Sequence, residues 1–253
     1  MKNNPIVSRD EWLAARKRLL QKERELTHLR DEISAARRQL PWVLIDKPYV
    51  FEGAQGRRTL AELFDGRSQL ITYHFMFGPD WREGCPSCSF LADHVDGALV
   101  HLEHRDVKVM AISRAPYSQI APFKQRMGWK FDWASSHGSD FNYDFQVSHT
   151  PQDIANHTAT YNYDVLGYPA EETHGISVFY KDAAGSVFHT YSSYARGTET
   201  LVNAYNFLDL APKGRDEDAF DFPMTWVRHH DRYEADPVRS NMSATRDEAI
   251  EER

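Results

Sequence analysis

Residues 69–77, Gln69-Leu70-Ile71-Thr72-Tyr73-His74-Phe75-Met76-Phe77, form a nearly continuous apolar and aromatic run, and a loop from Gly78 to Gly84 carries the chain from it to Cys85-Pro86-Ser87-Cys88. A run with so little alternation predicts a strand covered on both faces. Beyond the cysteines, Phe90, Leu91, Val95, Leu99 and Leu102 keep helical spacing from Ser89 to His104, and Val107-Lys108-Val109-Met110-Ala111-Ile112 reads as a second buried strand. Strand, cysteine loop, helix and strand make a βαβ unit, so the two strands are expected to run parallel with a right-handed crossover. The chain is therefore read as an α/β fold.

Further along, Tyr117 to Met127 predicts a helix and Trp129 to Ser135 a strand. Gly175–Tyr180 and Val187–Tyr191 predict two strands joined at Lys181-Asp182-Ala183-Ala184-Gly185, a hairpin with a glycine turn. Thr198 to Leu208 predicts a helix, and residues 136–174 are polar and aromatic-rich with no firm period. Upstream, Trp42–Ile45 and Tyr49–Phe51 read as short strands ahead of a Gly53–Gly56 turn. Thr59 is placed to cap a short helix, Leu60–Phe64, that Asp65-Gly66 ends.

The first 40 residues read as one long helix. Ser8-Arg9-Asp10-Glu11 is a capping box, and Pro41 closes the segment. Trp12, Leu19, Leu26, Ile33 and Leu40 recur every seven residues. Their heptad companions, Ala15, Lys22, Leu29 and Ala36, are too mixed to specify a two-stranded coiled coil by themselves. Two expectations stand together: a helix folded back on its own domain, or an arm that packs on a second subunit.

Residues 1–40 hold ten Lys/Arg against six Asp/Glu, net +4, which leaves 20 against 31, net −11, for residues 41–253. An acidic body argues against nucleic-acid and membrane partners. The basic residues of the leader are interleaved with Glu23, Glu25, Asp31 and Glu32, as on a solvated helix face. No run of about 18 apolar residues is present to span a membrane, and no apolar segment near the start resembles a secretory signal, so a cytoplasmic protein is expected. Two cysteines among 253 residues cannot frame a disulfide-stapled domain.

Two thiols two residues apart, at the start of a helix that follows a buried strand, can close a small disulfide ring. The helix start favours a thiolate, which makes Cys85 the candidate nucleophile and Cys88, one turn further in, the candidate resolving thiol. Pro86 in the first turn costs no hydrogen bond. Zinc asks for four ligands as a rule, and no second cysteine pair exists. His94, His101 and His104 lie roughly 9 to 24 Å along the helix axis from the pair at about 1.5 Å per residue. Redox thiols, metal ligands and inert thiols all remain open on spacing alone.

The segment Thr59–Arg114 resembles the opening of the thioredoxin-like superfamily, and more closely its alkyl hydroperoxide reductase branch, through Leu60-Ala61-Glu62-Leu63-Phe64-Asp65-Gly66, an apolar strand, an aromatic-rich loop and Cys-Pro-x-Cys. At finer grain, residues 5–235 resemble a bacterial family catalogued as domain of unknown function 899 and described as predicted dithiol-disulfide oxidoreductases. The residues that carry this are Glu25-Leu26-Thr27-His28-Leu29-Arg30-Asp31-Glu32, Leu40-Pro41-Trp42-Val43, Tyr73 to Pro79, Gly84 to Ser89 and Asp140-Phe141-Asn142-Tyr143-Asp144-Phe145. The resemblance implies a thioredoxin-like mixed central sheet flanked by helices over residues 42–212, after a helical extension at 1–41. An irregular charged extension is expected at 213–253, its last fifteen or so residues disordered. It implies a dithiol-disulfide oxidoreductase with Cys85 and Cys88 catalytic, no cofactor beyond a redox-active disulfide, and a protein or small-molecule disulfide or dithiol as partner. The alternatives are a zinc or copper module using the same thiols, and a non-catalytic oligomer built through the N-terminal helix.

Departures from the thioredoxin pattern matter as well. The cis-proline that such proteins place ahead of the strand facing the cysteines is replaced by Thr173-His174-Gly175. Gly175 is expected to allow close backbone approach, and His174 to offer a proton donor or a third metal ligand. The peroxidatic pattern Pro-x-x-x-Thr-x-x-Cys is absent, with Gly78 and Arg82 at its proline and threonine positions, so peroxide reduction is the weaker expectation. Ser87, Arg82 and Glu83 flank the thiols, the arginine lowering and the glutamate raising a thiol pKa unless both are solvated. His74 is a buried proton acceptor or a satisfied core histidine. Trp81, Trp129, Phe131, Trp133, Phe141, Tyr143 and Phe145, with Tyr161 and Tyr163, either line an apolar groove or simply pack.

Overall fold

A computed structural model describes residues 4–233, so the disorder expected of the final residues concerns positions outside those described. The chain divides into two compact units, Met1–Val43 and Leu44–Arg253. The first is α1 (Arg9–Arg38). The capping box forms: Glu11 N–H donates to Ser8 Oγ at 3.3 Å, and the Glu11 carboxylate accepts from Ser8 N–H at 2.9 Å. Asp10 and Glu11 in the first turn and Arg37 and Arg38 in the last complement the helix dipole.

The following elements are, in chain order, β1 (Val43–Leu44), β2 (Val50–Gly53), β3 (Gly56–Thr59), β4 (Gln69–His74), α2 (Pro86–Ala92), α3 (Leu99–His104), β5 (Val107–Ser113), α4 (Tyr117–Met127), β6 (Asp132–Ser135), α5 (Phe141–Asp144), α6 (Pro151–Ala155), β7 (Thr160–Tyr161), β8 (Asp164–Val165), β9 (Gly175–Lys181), β10 (Val187–Tyr194) and α7 (Asn203–Leu210). One mixed sheet runs β1-β10-β9-β4-β5-β6-β2-β3. The expected parallel pair is at its centre, β4 on β5 from Gln69 opposite Val107 to His74 opposite Ile112. β6 extends it in parallel, while β9 lies antiparallel on the other side of β4 and β10 antiparallel on β9. Gly185, at φ 90°, makes the β9–β10 turn where only a residue without Cβ is unstrained. The mixed central sheet flanked by helices that the sequence predicts is present.

Period-two alternation along β4 divides the core. Leu70 and His74 face a cluster that contains Ile112, Phe141, Phe145 and Phe179, whereas Tyr73 and Phe75 face one that contains Cys88, Phe123, Trp129 and Trp133. Several expected elements are shorter or broken: of Trp42–Ile45 only Val43–Leu44 is strand, and the Leu60–Phe64 helix is a 3₁₀ turn at Glu62–Phe64. β4 leaves the ladder after His74, though Phe75 and Phe77 stay buried. The single helix expected from Ser89 to His104 is interrupted by a 3₁₀ turn at Asp96–Ala98. There the Asp96 carboxylate takes the N–H groups of Lys130, at 2.8 Å, and Phe131, at 3.0 Å, so those residues do not join β6 as expected. The helix expected over Thr198–Leu208 is a 3₁₀ segment, Ala195–Leu201, then α7, the change falling at Val202, whose ψ of 85° cannot continue a helix.

Candidate active site

Loop geometry sets the thiols. Cys85 is the N-cap of α2, its N–H donating to the Met76 carbonyl at 3.0 Å and its own carbonyl accepting the Ser89 N–H at 2.9 Å. It is half-buried, Cys88 is buried, and the two approach to 3.9 Å as free thiols. Pro86 opens the helix and Ser87 follows, as the sequence predicts for a preset first turn. The Cys88 thiol donates to the Cys85 sulfur, and the N–H groups of Cys88 and Ser87 add to it, so the Cys85 pKa falls from 9.0 to about 7 despite burial. Cys88 moves the other way. Burial raises its pKa well above the usual thiol value, helped by the Cys85 sulfur and opposed by the Tyr73 hydroxyl and the Met76 N–H.

Tyr73, which spacing arguments did not single out, is therefore the residue of β4 that reaches the thiols. His74 points to the opposite face, where its Nε2 bonds Ser177 Oγ at 2.8 Å and its ring stacks on Phe145 with centroids 5.8 Å apart. Burial pushes its pKa down to about 3, so it is a neutral core histidine. The aromatic residues divide in the same way. Trp129, Phe131 and Trp133 pack beneath the cysteine loop, Phe141 and Phe145 lie across the sheet, and Tyr143 stacks against the Arg114 guanidinium at 4.9 Å. Of the aromatic residues singled out from the sequence, Trp81 alone lines the cleft of about 460 Å³ at Cys85.

The supporting residues fall into two groups. Glu83 is gripped by Arg126, at 2.6 Å, and by Arg232, which lowers its carboxylate pKa; it is an anchor, and Arg82 is exposed. His174 gives its Nε2 to the Ala195 carbonyl at 3.3 Å, and its carbonyl accepts the Tyr161 hydroxyl at 2.7 Å. Gly175 does permit a close approach, but by Tyr194: a Cβ there would lie 2.4 Å from that ring. The trio Cys85, Cys88 and His174 is not assembled, and among the described residues no three His, Cys, Asp or Glu side chains gather as metal ligands. His94 instead accepts the Ala204 N–H at 3.1 Å.

The segment after Pro212 supplies what the sequence reading passed over. Within its irregular path Val227 and His229 are each 3% exposed. His229 Nδ1 accepts from Arg126 at 2.7 Å, so Nε2 carries the proton and donates to the Gly84 carbonyl at 2.8 Å. The segment thus straps the residue that precedes Cys85, and Arg228 and Arg232 line the cleft beside it. The apolar interruption Met224 to Val227 in an otherwise charged tail was the available signal. Gly84 sits equally tightly, since a Cβ would meet the rings of Phe75 at 2.6 Å and Phe123 at 2.7 Å. Gly84→Ala is expected to cost about 1–3 kcal/mol, read as a lower urea midpoint with unchanged slope.

The family model described as "Bacterial protein of unknown function (DUF899)" matches residues 1–233. The chain belongs to that family. No curated protein matches it. Among solved structures it is similar to peroxidoxin BcpB from Mycobacterium tuberculosis, with 12% identity and a TM-score of 0.45 over 65% of this chain and 92% of that one. Xanthomonas campestris peroxiredoxin Q gives 13% and 0.44 over 65% and 95%. The mitochondrial 2-Cys peroxiredoxin from Plasmodium falciparum gives 11% and 0.39 over 67% and 94%.

Proposed function

We propose that the protein exchanges dithiol and disulfide with an external partner, Cys85 attacking and Cys88 resolving. The observation that carries this reading is an acidified, half-exposed Cys85 opening on a cleft, with a buried thiol 3.9 Å behind it. At pH 7 a pKa of about 7 leaves roughly half of Cys85 ionised, against about 1% at 9.0. The lower basicity takes back roughly eightfold in nucleophilicity, so the net gain is roughly sixfold.

The Cys85 thiolate attacks one sulfur of a disulfide RSSR; the Cys85–sulfur bond forms, the S–S bond breaks, and RS⁻ leaves. Cys85 is then uncharged and no longer a strong acceptor. Two influences that raise the Cys88 pKa vanish, while the Tyr73 hydroxyl and the Met76 N–H remain to hold a thiolate. Cys88 loses its proton to solvent and attacks Cys85, expelling the second RS⁻. Two electrons pass from the pair to RSSR, and an external dithiol restores the protein by the reverse exchange. The rate of iodoacetamide alkylation against pH tests the first step: a midpoint near 7 is expected, and a midpoint at about 8.5 would remove the activation on which the reading depends.

A further inference from the structure

None of the 30 residues of α1 is buried, yet Trp12, Leu19, Leu26 and Ile33, spaced by seven, are 42–52% exposed, as is Leu40 just beyond the C-cap Gln39. A helix draws most of its stability from packing such a face, so the stripe calls for a cover. A seven-residue period kept at four positions along the helix is the spacing of a coiled-coil seam. With these residues at heptad position a, position d holds Ala15, Lys22, Leu29 and Ala36, which leaves the choice of partner to the flanking charges. Position g reads Glu11, Arg18, Glu25, Glu32, and position e reads Arg16, Glu23, Arg30, Arg37.

Those two rows match each other. In a parallel pair in register, each g residue faces the e residue of the next heptad across the seam. Glu11 then meets the partner's Arg16, Arg18 the partner's Glu23, Glu25 the partner's Arg30 and Glu32 the partner's Arg37. All four are opposite in charge, and two-fold symmetry repeats them. A slip of one heptad sets Glu11 against the partner's Glu23 and Arg18 against the partner's Arg30. The antiparallel pair that sets Arg18 against the partner's Glu25 and Glu23 against the partner's Arg30 also sets Glu11 against the partner's Glu32 and Arg16 against the partner's Arg37, so half its contacts are repulsive. We propose that α1 pairs with α1 of a second copy of this chain as a parallel, in-register, two-stranded coiled coil. Lys22 can bury its alkyl stem at the seam while its ammonium reaches water. The 2.7 Å bridge between Arg16 and Glu23 within one helix is exchanged for the cross-seam contacts.

Sedimentation of the full chain is expected to give about twice 29.3 kDa. Glu25→Arg with Glu32→Arg turns four attractive contacts per dimer repulsive and should weaken self-association roughly a hundredfold. Mixing that variant with one carrying Arg30→Glu and Arg37→Glu should restore a dimer of one copy of each. In a background of Cys85→Ser and Cys88→Ser, Ile33→Cys should cross-link to itself on oxidation, because residue 33 faces its counterpart only in the parallel register. A mass of 29.3 kDa up to about 0.1 mM overturns the pairing. So does a dimer indifferent to charge reversal, or one in which Ile33→Cys fails to cross-link.

Discussion

Replacing Cys85 with serine is expected to reduce the reaction with 5,5′-dithiobis(2-nitrobenzoate) on the order of a thousandfold, because a serine hydroxyl supplies no comparable anion near neutral pH. Cys88, buried and with its pKa raised, does not replace it. The reduced wild-type protein should release two equivalents of aromatic thiolate, the first by attack of Cys85 and the second by closure of the Cys85–Cys88 disulfide. Cys88→Ser should release one and retain the other half of the reagent, seen as an added mass on the intact chain. The loss of the Cys88 donor should also raise the alkylation midpoint of Cys85, since that contact is the largest influence lowering it. The readouts separate the roles. If Cys85→Ser reacts at the wild-type rate, Cys88 is the attacking thiol; if Cys88→Ser still releases two equivalents, it is not the resolving one.

The strand, loop and helix around the cysteines were legible because each obeys a local rule: a continuous apolar run, a proline in the first helical turn, and a parallel return strand of the right length. What the sequence left ambiguous was which face of β4 each side chain takes. Tyr73 and His74 are adjacent, equally apolar in context, and both near the thiols along the chain. Only the register of β4 against β5 and β9 decides that Tyr73 meets Cys88 and His74 meets Ser177. The strap after Pro212 was hidden for a different reason. It has no period to read, because His229, Arg126 and Glu83 fix it by side-chain contacts between positions far apart in sequence. Residues 136–174 hold only the short elements α5, α6, β7 and β8, too brief to show a period, and are tethered to the rest by side-chain contacts such as the Tyr194 hydroxyl on the Phe145 carbonyl and Arg114 on Glu172.

Arg114 is one of those tethers, and replacing it with methionine is expected to destabilise the fold by about 3–5 kcal/mol. Its Nη2 lies 2.5 Å and its Nε 2.6 Å from Glu172 Oε1, Ser148 Oγ donates to Glu172 Oε2 at 2.8 Å, and Nη1 reaches the Tyr143 hydroxyl. The Glu172 side chain is 2% exposed, so without the guanidinium its charge has one hydroxyl in place of a counter-ion. Burial already raises the Glu172 pKa, with Arg114 the largest influence holding it down. In Arg114→Met the folded-state pKa therefore rises further. Between the unfolded value of 4.5 and that raised value the folded chain holds a proton that the unfolded chain has released, so stability falls as pH rises through the window. The deficit relative to wild type should be largest near neutrality and shrink as pH falls toward and through 4.5, below which Glu172 is protonated in both states. A general packing defect, from the lost stacking on Tyr143, would subtract the same amount at every pH. Urea denaturation of the two proteins at pH 7.5 and at pH 5 distinguishes them, and a deficit that does not narrow on acidification would show that the ion pair is not what Arg114 contributes.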